Sequence, residues 1–63
     1  MHGRTLRRIR RRLGMTQPAL AVTLGVHRVT IARWETGSRA VPRLVALLMV
    51  RLDEEGRSDK ANR

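Results

Sequence analysis

The sequence predicts an all-α fold of four short helices. Apolar residues recur at helical spacing along the chain, as at Leu6, Ile9 and Leu13 (i, i+3, i+7). The first three such segments each run into a glycine, Gly14, Gly25 and Gly37, and the fourth opens on a proline, Pro42. Sixty-three residues without a cysteine allow one small domain at most and no disulfide to support it.

The first helix is read from Thr5 to Leu13, an apolar stripe on an otherwise arginine-rich segment. The second runs from Gln17 to Leu24. Thr16 is its N-cap, Pro18 sits in the first turn where an N–H is not needed, and Leu20, Ala21 and Leu24 are its apolar positions. Only "GVH" separates it from a third helix, Arg28 to Thr36. At about 100° per residue, Ile31, Trp34 and Glu35 fall on one side of that helix and Val29, Ala32, Arg33 and Thr36 on the other, with Arg28 in the exposed first turn.

The fourth helix starts near Pro42 and is read to about Glu54. From Leu44 to Val50 it is apolar all the way round, whereas a surface helix of a small monomer needs one stripe. A second copy of the chain is the expected cover, with Val41, Val45, Leu48, Met49 and Leu52 as the dimer contact. The domain is therefore placed at residues 1–55. The polar remainder, "GRSDKANR" at 56–63, has no apolar anchor and is expected to be disordered.

Charge points to the partner. The net charge is +9, and residues 1–52 carry eleven Arg against a single acid, Glu35. A basic field of this kind on a folded domain fits a polyanion, usually nucleic acid. Arginine favours bidentate contacts to phosphate or guanine. The longest apolar run, "LVALLMV", is too short to span a bilayer, and no signal-peptide pattern follows the basic N-terminus. Two isolated histidines, His2 and His27, do not make a metal site, and no catalytic constellation is present, so neither an enzyme nor a cofactor is expected.

Two short helices joined by a tight glycine-containing turn form a helix-turn-helix. Where they cross, Ala21 must be small, and Gly25 lets the chain turn with positive φ. With Gln17, Ala21, Gly25, Ile31 and Trp34 in register, followed by "WETGSRAVP", the chain resembles the Cro and CI repressors of the XRE family from about Leu6 to Leu52. The resemblance implies a compact lambda-repressor-like domain of four helices, or five where a further C-terminal helix is present.

The resemblance makes the third helix the recognition helix, lying in the major groove with Arg28, Val29 and Arg33 at the base-reading positions. Arg suits guanine O6 and N7, and Val29 suits a thymine methyl. Gln17 and Thr16 at the start of the second helix, together with His27, Thr30, Arg39, Arg43 and Arg10, are the expected DNA-backbone contacts. Arg10 and Glu35 also match positions that form an ion pair in related repressors. The chain departs from the family in two places. His27 stands where Ser or Thr usually caps the recognition helix, and residues 56–63 lack the apolar face of a fifth helix.

The function expected from this resemblance is a cytoplasmic transcriptional repressor of phage or mobile-element type. It would bind an inverted repeat in double-stranded DNA as a homodimer, occlude a promoter and regulate its own operon, as anti-CRISPR-associated regulators do. No small-molecule effector is expected. The alternative is an antitoxin that neutralises a partner protein and binds DNA secondarily.

Overall fold

The computed structural model describes residues 1–61, with side chains described as far as Arg57. Four helices follow in order: α1 (Gly3–Arg12), α2 (Gln17–Leu24), α3 (Arg28–Thr36) and α4 (Arg43–Ala61). No strand occurs among the described residues. The all-α fold is as the sequence predicts, and both helices of the helix-turn-helix have the expected ends.

Those ends are set locally. Thr16 caps α2 by accepting a hydrogen bond from the Ala19 amide at 3.2 Å. The helix closes in a Schellman turn: Val26 N–H donates to the Ala21 carbonyl at 2.9 Å, and Gly25 N–H to that of Val22 at 3.2 Å. This turn needs Gly25 in the left-handed region, at φ 70°. The chain then has only Val26 and His27 left before α3 begins.

The core forms where the helices cross. Leu6 and Ile9 of α1, Leu20 and Ala21 of α2, Ile31 and Trp34 of α3, and Met49 of α4 are buried in one cluster. Each large aliphatic side chain removed from water in this way contributes about 1.5–3 kcal/mol. Leu13, Met15, Leu24, Val26, Val41, Val45 and Leu52 close its edges, half-buried.

The structure corrects three expectations. α1 begins at Gly3, two residues before Thr5, because its first turn lies directly on the end of α3. A Cβ at Gly3 would overlap the carbonyl oxygens of Trp34 and Glu35. Glycine permits that approach because it has no side chain to collide.

α4 continues to Ala61, well past the expected end near Glu54. Polar contacts hold its later turns where apolar anchors are lacking. The Asp53 carboxylate forms ion pairs with Arg12 at 3.2 Å and with Arg57 at 3.5 Å, and Gly56 lets the helix approach Leu13. Residues 62–63, the end of the expected polar tail, lie outside the described residues.

Met49, expected at a dimer contact, is fully buried in the core and has no surface to offer a partner. Val41, Val45 and Leu52 also pack against the core. The exposed apolar side chains of α4 are Leu44, Leu47, Leu48 and Val50, so of the five expected contact residues only Leu48 belongs to the outer face. A helix that is apolar all round carries no asymmetry to say which side turns inward.

Candidate nucleic-acid interface

Two helix starts define the candidate site. At α2, the Thr16 carbonyl accepts from Leu20 N–H at 3.0 Å, its hydroxyl accepts from Ala19, and Pro18 has no N–H to satisfy. The first-turn donor left over is the Gln17 amide. At α3, the His27 carbonyl accepts from Thr30 N–H at 2.9 Å and Ile31 N–H at 3.4 Å, while His27 Nδ1 accepts from Val29 N–H at 3.2 Å. The donor left over there is the Arg28 amide. Each start thus offers one main-chain N–H at the positive end of a helix dipole, an arrangement that suits a phosphate oxygen.

His27 is therefore a true N-cap. Accepting at Nδ1 places the ring proton on Nε2, where it is a free donor on an exposed side chain. The sequence places His27 among the DNA-backbone contacts, at a position where Ser or Thr usually caps. The geometry gives it the cap and keeps a second donor available.

The outward face of α3 carries the residues expected to read bases. Arg28 and Arg33 are exposed, and Val29 keeps 42% of its surface. Thr30 is half-buried. Arg39 and Arg43 are exposed beyond the end of α3, where Arg39 N–H donates back to the Arg33 carbonyl at 3.2 Å. Among the described residues, none of Arg28, Arg33, Arg39 and Arg43 has an acidic partner.

A polar cluster behind this face holds the two helices in register. Arg10 Nε donates to Glu35 Oε2 at 2.7 Å, and its Nη2 to Oε1 at 3.0 Å. Its Nη1 donates to the Met15 carbonyl at 2.9 Å. Gln17 Nε2 donates to Glu35 Oε1 at 3.2 Å. One carboxylate thereby ties α1, the start of α2 and the end of α3 together.

Burial pushes the Glu35 carboxyl up, but the hydrogen bonds from Arg10 and Gln17 and the charges of Arg10 and Arg7 outweigh it, so the net direction is down. The hydrogen bond to Glu35 raises Arg10 against the cost of burial, and the carboxylate charge adds to the rise. Both groups stay ionised at neutral pH.

This changes the role of two expected backbone contacts. Arg10 uses three of its five donors inside the protein, and its side chain is 11% exposed, so it acts first as a support for the site. Gln17 turns its amide nitrogen inward to Glu35, leaving its main-chain N–H and its amide oxygen for other partners.

A family model described as a helix-turn-helix domain matches residues 3–56. The chain belongs to this family. No curated protein and no solved structure matches it.

In this helix-turn-helix domain the matched segment spans α1, α2, α3 and the larger part of α4, including Gly56. Family membership supports DNA binding. No group of three metal-binding side chains occurs among the described residues, and no described helix is long and apolar enough to cross a membrane.

Proposed function

We propose that this helix-turn-helix domain is a sequence-specific transcriptional repressor of the Cro and CI type. It acts from phage or mobile-element DNA in the cytoplasm and regulates its own operon. The observation that carries the reading is the outer face of α3, where Arg28, Val29 and Arg33 are exposed and neither arginine has an acidic partner among the described residues. Arg28 and Arg33 each present a planar fork suited to guanine, and Val29 presents an apolar surface suited to a thymine methyl.

The phosphate contacts come from the two helix starts and the segment after α3. Gln17 contributes its main-chain N–H, Thr16 and Thr30 their hydroxyls, His27 its Nε2–H, and Arg39 and Arg43 their guanidinium groups. Arg10 acts from behind by fixing Glu35, which in turn holds Gln17.

A second copy joins through the outer face of α4. Two-fold symmetry would then place the recognition helices about 34 Å apart and make the target an inverted repeat. Occupying such a repeat in a promoter blocks polymerase without an effector.

Selection of bound duplexes from a random library at physiological salt tests this. Enrichment of an inverted repeat with guanine in each half-site supports it, and Arg33→Ala should then relax the preference at one position at a cost of about 1–3 kcal/mol. Binding that enriches no sequence would overturn specific recognition.

A further inference from the structure

The arginines of α1 divide into two groups. Those on its flanks are paired: Arg10 with Glu35 of α3, and Arg12 with Asp53 of α4. Arg4, Arg7, Arg8 and Arg11 are exposed and have no acidic partner among the described residues. They follow an i, i+3, i+4, i+7 spacing, so they form one stripe about 10 Å long, opposite Leu6, Ile9 and Leu13. The four side chains line a single shallow groove.

This placement is unfavourable for the isolated domain. Like charges three and four residues apart repel along a helix surface. Arg4 lies in the first turn, at the positive end of the helix dipole, and no acidic residue offsets it there. A bound polyanion would remove both penalties.

The stripe also lies away from the reading face. α1 meets α3 through Gly3 and Arg10, and meets α4 through Arg12. The four free arginines occupy the side of α1 opposite its core stripe, with Arg7 at the edge nearest α3, where its charge reaches Glu35. The outer face of α3 lies opposite Ile31 and Trp34, so each of the two faces points away from the shared core on its own helix.

We propose that the Arg4–Arg7–Arg8–Arg11 stripe is a second, sequence-independent binding surface for the phosphate backbone of a separate duplex segment. This inference rests on the DNA-binding reading of α3. One protomer then holds its operator through α3 and a second stretch of DNA through α1. Arginine forks match phosphate oxygens in pairs. A membrane surface fits less well, because a helix lying on lipid must bury an apolar face and that face of α1 is already in the core.

The test uses two short random-sequence duplexes, one carrying a donor fluorophore and one an acceptor, at physiological salt. Single-duplex binding is followed by anisotropy and bridging by energy transfer. The full chain should bind and bridge. Bridging should weaken with salt along a log–log slope of roughly −3 to −4, the value for about four neutralised phosphates. Arg4→Gln/Arg7→Gln/Arg8→Gln/Arg11→Gln should keep single-duplex binding and lose bridging, and the matching four Arg→Lys changes should restore it. Circular dichroism checks that each variant is folded.

Bridging retained by the Gln variant overturns the proposal, as does a wild-type chain that binds one duplex and never two. A folded Gln variant that no longer binds even one duplex would place the stripe on the same segment as α3, and this also overturns it. Stripe-dependent binding to phosphatidylserine vesicles in preference to a second duplex would replace DNA with a membrane. Failure of the wild-type chain to bind any duplex would instead remove the DNA reading itself.

Discussion

Arg10 and Glu35 form a two-point ion pair, at 2.7 Å and 3.0 Å, across 25 residues of sequence. Their side chains are 11% and 4% exposed. Removing one partner strands the other in a poorly solvated site, which typically costs several kcal/mol. Glu35→Gln should therefore destabilise the domain by about 3 kcal/mol at neutral pH, measured by urea denaturation.

The same pair sets an acid limit. The Glu35 carboxyl is held below the ordinary glutamate value of about 4.3. A depressed folded-state value means that the stabilisation is complete above that ordinary value and is lost as pH falls through the folded one. Urea midpoints measured from neutral pH into this acid range should fall more for the wild-type chain than for Glu35→Gln, which has no carboxylate there to protonate.

Two glycines should respond to alanine for opposite reasons. At Gly25 there is open space around a new methyl group, so the cost is the left-handed backbone alone, about 1–2 kcal/mol. At Gly3 the backbone is helical, but the methyl would collide with the Trp34 and Glu35 carbonyls. Gly3→Ala should cost about 1–3 kcal/mol by overpacking, or melt the first turn of α1. Thermal melts measure both losses. Amide exchange at the start of α1 should rise only in the Gly3 variant.

His27→Ala removes the side-chain acceptor for the Val29 amide and should cost about 1 kcal/mol. His27→Ser should recover that stability, because a hydroxyl caps equally well. Serine places its hydroxyl differently from imidazole Nε2–H, so it should not recover the DNA affinity lost with the ring. Melting temperature and duplex affinity measured side by side separate the two roles.

The outer face of α4 predicts the oligomeric state. Leu44 is 75% exposed, and Leu47 and Leu48 lie beside it at 56% and 50%. Leu47→Glu should shift sedimentation toward monomer while leaving the helical signal intact, since the side chain is outside the core. Met49→Glu should unfold the protein instead, because Met49 is fully enclosed.

Much of this was legible in the sequence because it depends on short-range chemistry. The ends of α2 and α3 follow from Thr16, Gly25 and Gly37, which act within a turn of their own positions. The exposed side of α3 follows from the helical period of Ile31 and Trp34. The Arg10–Glu35 pair was legible through resemblance, since Glu35 is the sole acid of the first 52 residues.

The rest depends on what lies across the fold. Gly3 has no local signal, as its role is defined by carbonyls more than thirty residues away. The inward side of α4 cannot be read from a helix that is apolar all round, and packing against α1 selects Met49 over Leu47. The later turns of α4 look like a polar tail until Arg12 is seen beside Asp53.

The sequence by itself determined the all-α class, the helix-turn-helix and the basic character of the domain, because caps, periodicity and charge are properties of neighbouring residues. Only the tertiary structure decided which of the arginines are tied to acids and which stand free on a surface, because that depends on where Glu35 and Asp53 come to rest against α1.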